Sequence, residues 1–354
     1  MMNLESLIYK EPYSLKQKEK EKIFLKILNE LTNHHYKNSK IYKKIIKNLK
    51  YKKKKYHKIS EIPFLSVRLF KEFDLVSVKK NKIIKTLHSS GTSNNKLSRI
   101  YLDKQNASNQ IKVLQKIISN FLGKDRLPML IIDFEKNKID RNSFGARIAA
   151  INGFSIFGKQ HTFILKNNGE IDYNSLNNFL KKFSNKKFLI FGFTSFIFEK
   201  LINTLNTNYL SNSLSNGIVI HGGGWKKLEK LKVSNLTFKE MLFNKFNITK
   251  IYNYYGLVEQ TGSIFFECPC GYHVASNFSD IIIRDRNLKV LNDGEKGFVQ
   301  VISLIPTSYP GHSILTEDIG ELVNSDKCKC GLNGKKFLLH GRVEKAEIRG
   351  CSDI

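Results

Sequence analysis

The sequence reads "KKFLIFGFTSFIFEKLINTLN" from Lys186 to Asn206, a short apolar run followed at once by a helical pattern. Similar apolar runs occur at Leu127–Phe134, Asn216–Gly224 and Lys250–Gly256. Short strands that alternate with helices are typical of an α/β fold with a largely parallel sheet. In such sheets ligands bind beyond the carboxyl ends of the strands. The sequence therefore predicts this fold class and this location for a site.

The first 60 residues have a helical pattern instead. Apolar residues recur with helical spacing from Ile23 to Leu31 and again from Ile41 to Leu49. Ser14 and Gln17 have the spacing of a capping box, which would start the first of these helices. We expect residues 1–60 to form an N-terminal helical segment that packs on the main body.

The pattern changes again after residue 275. The stretch Asp280–Ser303, "DIIIRDRNLKVLNDGEKGFVQVIS", has short alternating strands separated by turns. This predicts a small antiparallel subdomain. We therefore expect residues 61–354 to form the main domain, with residues 260–354 as its smaller, β-rich part.

Composition and charge limit the class of protein. The chain has 354 residues, 41% of them hydrophobic, which is a globular composition. Its net charge is +28, from 59 Lys and Arg against 31 Asp and Glu, and such an excess can indicate nucleic-acid binding. The lysines are spread along the whole chain, however, and the one compact run, "YKKKKYHK" at Tyr51–Lys58, is better explained as a solvated linker. A nucleic-acid-binding protein remains an alternative that rests on charge alone.

No targeting segment is evident at the start of the sequence. "MMNLESLIYKEPYSLK" lacks the apolar core of a signal peptide. The longest apolar run, Phe188–Phe198, is interrupted by Gly, Thr and Ser and is shorter than the roughly 20 residues that span a bilayer. We expect a cytoplasmic protein, whose five cysteines are reduced and serve metal binding or chemistry rather than disulfides.

The loop "HSSGTSNNKLSR", His88–Arg99, lies between two extended segments and contains five hydroxyl side chains. It is not a Walker A loop, since it lacks the second glycine and the Lys-Ser/Thr pair. It is either a polar turn or a phosphate-binding loop. In the second case hydroxyls and backbone N–H groups would surround phosphate oxygens, and Lys96 and Arg99 would supply positive charge.

Further polar segments have both an ordinary and a functional explanation. The glycines of "HGGGWKK", His221–Lys227, suit either a tight strand-to-helix turn or the close approach of a flat ligand. Glu259 is either a Mg²⁺ ligand or a first-turn helix residue favoured by the helix dipole. Asp318 in "TED" could accept hydrogen bonds from ribose hydroxyls, and Arg342 follows a glycine in a charged turn.

Two cysteine pairs suggest a structural Zn²⁺ site. Cys268 and Cys270 lie near His273, and Cys328 and Cys330 follow about 60 residues later. Four thiolates, or three thiolates and His273, would complete a tetrahedral site. The C-x-C spacing is tighter than the usual C-x₂₋₄-C, and the alternative is two reduced pairs at unrelated turns.

Six segments, in their order along the chain, resemble the acyl-protein synthetase (LuxE) family of the adenylate-forming (AMP-binding) superfamily. The resemblance covers roughly residues 60 to 354. The segments are "IPFLSVRLFKE" from Ile62, "SSGTS" from Ser89, "HGGGWKKLE" from His221, "YGLVEQTGSIFFEC" from Tyr255, "IPTSYPGHSILTEDIGE" from Ile305 and "GRVEKAEIRGCSD" from Gly341.

The resemblance implies an α/β large domain that binds ATP and Mg²⁺, and it assigns a role to each segment. The implied positions are Ser89, Ser90, Gly91, Thr92 and Ser93 with Lys96 at the β- and γ-phosphates, Gly222, Gly223 and Gly224 at adenine, Tyr255 and Gly256 between adenine and the acyl carboxylate, Glu259 at Mg²⁺, and Asp318 and Arg342 at the ribose hydroxyls.

The implied reaction joins a carboxylic acid, by analogy a fatty acid, to the α-phosphate of ATP and releases pyrophosphate. The acyl group would then pass to Cys351 as a thioester and on to a partner acyl reductase. Cys351 is alternatively a small buried residue that closes the last strand. A second alternative is a ligase related to phenylacetate-CoA ligases, which would make acyl-CoA.

One feature departs from the superfamily pattern. Adenylate-forming enzymes continue past the segment from Gly341 into a mobile domain that carries a catalytic lysine, and no lysine of this sequence takes that position. We therefore expect adenylation to depend on Lys96, on other groups of the large domain or on a partner protein.

Overall fold

A computed structural model describes residues 4–51, 55–89, 97–135, 146–205, 213–324 and 328–343, with only the backbone described at Ala146, Lys226 and Lys227. Contacts divide the chain into two compact units. The first unit comprises Met1–Phe121 and Gly256–Ile354, and the second comprises Leu122–Tyr255.

The helices are α1 (Leu4–Ile8), α2 (Gln17–Asn38), α3 (Lys40–Asn48), α4 (Leu69–Glu72), α5 (Lys104–Leu122), α6 (Ala146–Ser155), α7 (Tyr173–Phe183), α8 (Thr194–Phe196), which continues as a π-helix (Ile197–Thr204), and α9 (Asn235–Phe246). Short 3₁₀ turns lie at Ile59–Glu61, Lys80–Lys82, Lys226–Leu231 and Val258–Gln260. The strands are β1 (Leu65–Ser66), β2 (Ile83–His88), β3 (Arg99–Asp103), β4 (Leu127–Phe134), β5 (Gly158–Leu165), β6 (Phe188–Phe193), β7 (Gly217–Gly222), β8 (Lys250–Tyr255), β9 (Phe265–Glu267), β10 (His273–Val274), β11 (Ser279–Arg284), β12 (Lys296–Ser303), β13 (Ser313–Val323) and β14 (Lys336–Arg342).

The unit Leu122–Tyr255 is built on a parallel sheet with the strand order β5-β4-β6-β7-β8. The four apolar runs noted in the sequence form four of these strands, which confirms the predicted α/β class. The run that forms β6 has no polar side chain, because both faces of the sheet are covered there. Ile190 packs in the cluster that contains Leu176 and Leu201, whereas the next residue, Phe191, stacks on Phe154 of α6 at 4.7 Å. Successive side chains of one strand point to opposite faces, so both must be apolar.

The other unit contains an antiparallel sheet with the strand order β11-β12-β13-β14-β10-β9. β1 pairs with β13 in parallel, and β2 and β3 form a separate antiparallel hairpin. The antiparallel pairing expected after residue 275 is confirmed.

The N-terminal helices belong to the same unit as this sheet. α2 buries Phe24 and Leu28, and α3 buries Tyr42 and Ile46, as the helical spacing predicted. Burial of one such side chain contributes about 1.5–3 kcal/mol relative to its exposure. A domain boundary near residue 60 remains a prediction.

The capping-box prediction for α2 was wrong. The residue before the helix is Lys16, whose side chain makes no capping hydrogen bond. The Ser14 hydroxyl donates instead to the carbonyl of Glu11 at 2.8 Å and accepts from Asn277 Nδ2 at 3.2 Å. The same Asn277 side chain accepts from the Leu15 N–H at 3.2 Å. A long-range contact therefore takes the hydroxyl that the local pattern assigned to the helix.

Within the described part of the chain, no helix combines the length and the apolar character that a bilayer-spanning helix needs.

Candidate active site

The hydroxyl-rich loop is the connection of the β2–β3 hairpin, as its two extended flanks predicted. Ser89 and Ser98 close the base of this connection. The Ser98 N–H donates to Ser89 Oγ at 2.9 Å, and the Ser89 N–H donates to the Ser98 carbonyl at 3.2 Å. The hairpin thus fixes where the loop leaves and rejoins the fold. Other residues assigned to the phosphate site lie outside the described residues: Ser90, Gly91, Thr92, Ser93 and Lys96.

Glu259 lies near the base of this loop and is buried. Burial raises the pKa of Glu259 above its usual value, because water no longer solvates the charged form. The Ser98 hydroxyl and the positive charges of Lys71 and Arg342 act in the opposite direction. A carboxylate in this position would be stabilised by a bound divalent cation. The helix-dipole alternative is weaker, since the turn that carries Glu259 has only three residues.

The backbone around Glu259 is held by neighbouring polar groups. Tyr309 donates its hydroxyl hydrogen bond to the Glu259 carbonyl at 2.8 Å. Gln260 Nε2 donates to the carbonyls of Val301 at 3.1 Å and Gly311 at 2.8 Å. Because these groups belong to β12 and to the segment before β13, the antiparallel sheet sets the position of the acid.

Gly256 begins the segment that leads to Glu259. A Cβ at Gly256 would lie 3.1 Å from Ile264 Cγ2, so a larger residue there would press on that side chain.

Asp318 and Arg342, the two residues assigned to the ribose, are brought together by strand pairing. They are register partners on β13 and β14, and Arg342 Nε lies 3.0 Å from Asp318 Oδ1. The Asp318 side chain is 12% exposed, whereas that of Arg342 is 72% exposed. The buried acid therefore orients a largely solvent-facing guanidinium.

The glycine run lies in the unit Leu122–Tyr255, at the carboxyl end of β7. A Cβ at Gly222 would lie 2.6 Å from the carbonyl oxygen of Tyr254 on β8, so that position requires glycine. Gly223 has φ +80°, which also favours glycine. A Cβ at Gly224 would meet no described atom within 4 Å. The tight turn thus explains two of the three glycines. Tyr255, the last residue of β8, belongs to the same unit.

His221 precedes this run and is buried. Its Nδ1 lies 3.0 Å from Thr194 Oγ1, and its ring packs against Phe238 with centroids 4.5 Å apart. Thr194 also donates to the Gly222 carbonyl at 3.2 Å. These contacts join the carboxyl ends of β6 and β7, so His221 has a structural role.

The sequence patterns did not indicate Lys71 and Ser98 as site residues, although both act to lower the pKa of Glu259. Lys71 lies in the first of the six family-like segments, which was the available signal. Ser98 is the fifth hydroxyl of the loop, and only the hairpin geometry distinguishes it from the others.

Three cysteines converge in the antiparallel unit. The sulfur atoms of Cys268, Cys328 and Cys330 all lie within 4.8 Å of one another. Cys268 Sγ is 3.7 Å from Cys328 Sγ, which is 3.2 Å from Cys330 Sγ. Cys270 is exposed. His273 is not part of this group; its ring stacks on Phe337 with centroids 5.3 Å apart.

The thiols of this cluster differ in acidity. Burial raises the pKa of Cys268 and that of Cys328 above their usual values. Burial also acts to raise the pKa of Cys330, but the Leu332 N–H, the Cys328 thiol and the Lys336 charge together bring it below its usual value. Cys330 is therefore the most readily ionised of the three. Cys351 lies outside the described residues.

Comparison with solved structures identifies the class of fold. The chain is similar to 2-hydroxyisobutyryl-CoA ligase in complex with 2-HIB-AMP and CoA, with a TM-score of 0.71, 12% identity, and coverage of 94% of this chain and 77% of that one. It is similar to ATP-bound MatB from Rhodopseudomonas palustris, with a TM-score of 0.50, 13% identity, and coverage of 76% and 50%. It is also similar to a luciferase-like enzyme of the Zophobas morio mealworm, with a TM-score of 0.50, 15% identity, and coverage of 76% and 60%. The fold is that of adenylate-forming enzymes.

The family follows from the sequence. The model of the acyl-protein synthetase family, LuxE, matches residues 2–354, and the chain belongs to that family. A search of curated proteins found no match. The predicted family and fold class are confirmed, and membership of the family supports a ligase function.

Proposed function

We propose that the protein activates a carboxylic acid as an acyl-adenylate and transfers the acyl group to a protein cysteine, from which an acyl reductase receives it. Family membership supports this proposal. The observation that carries it is the pairing of Asp318 with Arg342 at 3.0 Å in the same unit as the buried Glu259. These residues come from, or directly adjoin, three separate segments to which the family resemblance assigns ATP contacts.

In the first step a carboxylate oxygen of the acid attacks the α-phosphorus of ATP. A carboxyl O–P bond forms, the P–O bond to the β-phosphate breaks, and pyrophosphate leaves. Catalysis of such a step depends on positioning and on stabilisation of charge rather than on a side-chain nucleophile. Mg²⁺ held by Glu259, together with Lys96 and the hydroxyl-rich loop, would neutralise the triphosphate.

The remaining contacts would orient the nucleotide. Asp318 would accept hydrogen bonds from the ribose hydroxyls, and Arg342, held by Asp318, would add a charged donor. Gly222–Gly224 would lie along the adenine ring. The open space at Gly224 fits this role, because no described atom lies within 4 Å of a Cβ placed there.

In the second step a thiolate attacks the acyl carbonyl carbon, a C–S bond forms, and AMP leaves with the electron pair of the broken C–O bond. We propose Cys351 as this thiol and a fatty acid as the substrate. The alternative acceptor is CoA, which the likeness to a CoA ligase favours.

The test is ATP–pyrophosphate exchange with the full chain and a panel of acids, from short hydroxy acids to long fatty acids, with and without Mg²⁺. Exchange above background with one class of acid supports the proposal. Background exchange with every acid, also in the presence of a candidate acyl reductase, would refute it.

The acceptor is tested by mass spectrometry of the reaction products. Acylation of the wild-type chain that is lost in Cys351→Ser supports the protein-cysteine route. Acyl-CoA in solution, with no acylated chain, would assign the protein to the CoA ligases instead.

A further inference from the structure

The cysteine cluster has no place in the adenylation chemistry and needs its own explanation. Its members come from two connections of the antiparallel sheet: Cys268 lies between β9 and β10, and Cys328 and Cys330 lie between β13 and β14. Sixty residues separate Cys268 from Cys328, yet their sulfur atoms are 3.7 Å apart.

The spacing of the sulfur atoms fits a tetrahedral metal site. Thiolates about 2.3 Å from Zn²⁺ at tetrahedral angles lie roughly 3.8 Å from one another. The Cys268–Cys328 distance is 3.7 Å, and the Cys328–Cys330 distance of 3.2 Å would need to open by only about half an ångström. Both distances are far longer than the roughly 2.05 Å of a disulfide bond.

A fourth thiol is available beside these three. The Cys270 thiol interacts with that of Cys328, but its sulfur is not among the three that all lie within 4.8 Å of one another, so a bound ion would have to draw it closer. The turn that carries Cys268 and Cys270 is closed by two backbone hydrogen bonds, from the Cys268 N–H to the Tyr272 carbonyl at 2.8 Å and from the Gly271 N–H to the Cys268 carbonyl at 2.9 Å. Since His273 stacks on Phe337 instead of joining the group, Cys270 is the better fourth ligand.

The surroundings also suit an anionic centre. A zinc ion with four thiolates has a net charge of −2, which must be offset where the site is partly buried. Lys336 is buried, donates to the Leu332 carbonyl at 2.8 Å, and lies close enough for its charge to act on Cys330. Lys336, the first residue of β14, therefore supplies the positive charge that such a site requires.

We propose that Cys268, Cys270, Cys328 and Cys330 bind one structural Zn²⁺, which fastens the β13–β14 connection to the β9–β10 turn. The proposal does not depend on the proposed function.

Such a metal would have a clear mechanical role. β10 pairs with β14 through only two residue pairs, His273 with Phe337 and Val274 with Lys336. A ladder this short gives little stability by itself. The metal would lie just before both strands and would hold the start of β14, whose last residue is Arg342.

The test begins with the metal content of the full-length protein purified without added metal. About one zinc ion per chain is expected in the wild type and in Cys351→Ser, which removes the fifth cysteine but no proposed ligand. Cys328→Ser and Cys268→Ser should lose most of the zinc, and Cys270→Ser should retain it more weakly than the wild type does. The same zinc content in all four variants would overturn the proposal.

Two further measurements cover the case in which a ligand variant fails to fold. Co²⁺ exchanged into the wild type should give the thiolate charge-transfer and visible bands of tetrahedral sulfur coordination. Removal of metal by a chelator should lower the melting temperature, and added Zn²⁺ should restore it. A native wild-type chain with no zinc and five thiols that react freely would overturn the proposal, as would a mass lower by two hydrogens, which indicates a disulfide.

Discussion

Arg342 Nε lies 3.0 Å from Asp318 Oδ1, and the two residues are register partners on β13 and β14. Two charged residues that are 24 positions apart in the sequence thus form one ion pair where β13 and β14 lie side by side. Because Asp318 is buried and Arg342 is exposed, loss of the acid would release the guanidinium from its orientation.

Asp318→Ala and Arg342→Ala should each raise the KM for ATP by about 10- to 100-fold, since a hydrogen bond to a charged group contributes about 1.5–3 kcal/mol. The loss of ATP-binding free energy in the double variant should be smaller than the sum of the losses in the two single variants, because the residues act as a pair. Steady-state kinetics at several ATP concentrations measure this. Glu321→Gln is the matched control, because Glu321 pairs with His340 on the same two strands. Equal effects of the control and the Asp318 variant would contradict a specific role in nucleotide binding.

Glu259→Gln should lower the rate of ATP–pyrophosphate exchange by at least about 10-fold and weaken its dependence on Mg²⁺, since an amide is a poorer ligand for that ion than a carboxylate. Glu30→Gln changes an exposed glutamate in the same way and is the control. Titration of activity with Mg²⁺ is the measurement. An unchanged Mg²⁺ dependence would remove Glu259 from the proposed metal site.

The same glutamate predicts an effect of pH on stability. The folded-state pKa of Glu259 is raised from 4.5, so the folded protein holds this proton more tightly than the unfolded chain does. The wild type should therefore lose stability relative to Glu259→Gln as pH rises from about 4.5 through the raised pKa. Denaturant unfolding of both proteins across this range measures the difference, and a difference that stays constant with pH would contradict the assignment.

His35 and His312 should make the protein sensitive to acid. Their buried rings stack with centroids 5.0 Å apart, and His34 lies beside them. Burial, the neighbouring His312 and then His34 lower the pKa of His35 well below 6.5. Burial and then His34 lower the pKa of His312 to about 3. The Pro306 carbonyl can only accept a hydrogen bond, so neutral His35 carries its proton on Nε2 and donates to that oxygen at 3.2 Å.

Because both rings stay neutral in the folded state, unfolding takes up protons below pH 6.5. Stability should fall as pH drops from 6.5 towards 3, by at most about 1.4 kcal/mol per pH unit for each histidine. His312→Gln should remove the contribution of one histidine from this slope. His57→Gln, at an exposed position, is the control and should leave the slope unchanged. Chemical denaturation at a series of pH values measures the slope, and equal slopes for the two variants would disprove the prediction.

Substitutions of Gly222 and Gly224, at the carboxyl end of β7, should have different effects. Gly222→Ala places a Cβ 2.6 Å from the Tyr254 carbonyl and should destabilise the protein by about 1–3 kcal/mol. Gly224→Ala meets no described atom within 4 Å and should leave the melting temperature nearly unchanged, while raising the KM for ATP if adenine lies there. Thermal unfolding and ATP kinetics on both variants distinguish the two effects. An unchanged KM in a stable Gly224→Ala variant would remove adenine from this position.

Local patterns predicted much of the fold. The apolar run at Phe188–Phe193, followed by a helical pattern, indicated a strand of a largely parallel sheet, and the structure places it between β4 and β7 in such a sheet. The spacing of Phe24 and Leu28 indicated the buried face of α2. The capping-box prediction was wrong because it considered only neighbouring residues. The Ser14 hydroxyl accepts a hydrogen bond from Asn277, which is 263 residues away in the sequence.

The sequence by itself determined the elements and the family, because both depend on residue order: hydrophobic period, turn residues and six segments in a fixed succession. The tertiary structure decided which of these residues meet. Strand register set Asp318 opposite Arg342, hairpin closure set Ser98 beside Glu259, and the antiparallel sheet brought Cys268 to Cys328. Such contacts follow from chain topology and long-range packing, for which a single sequence contains no local signal.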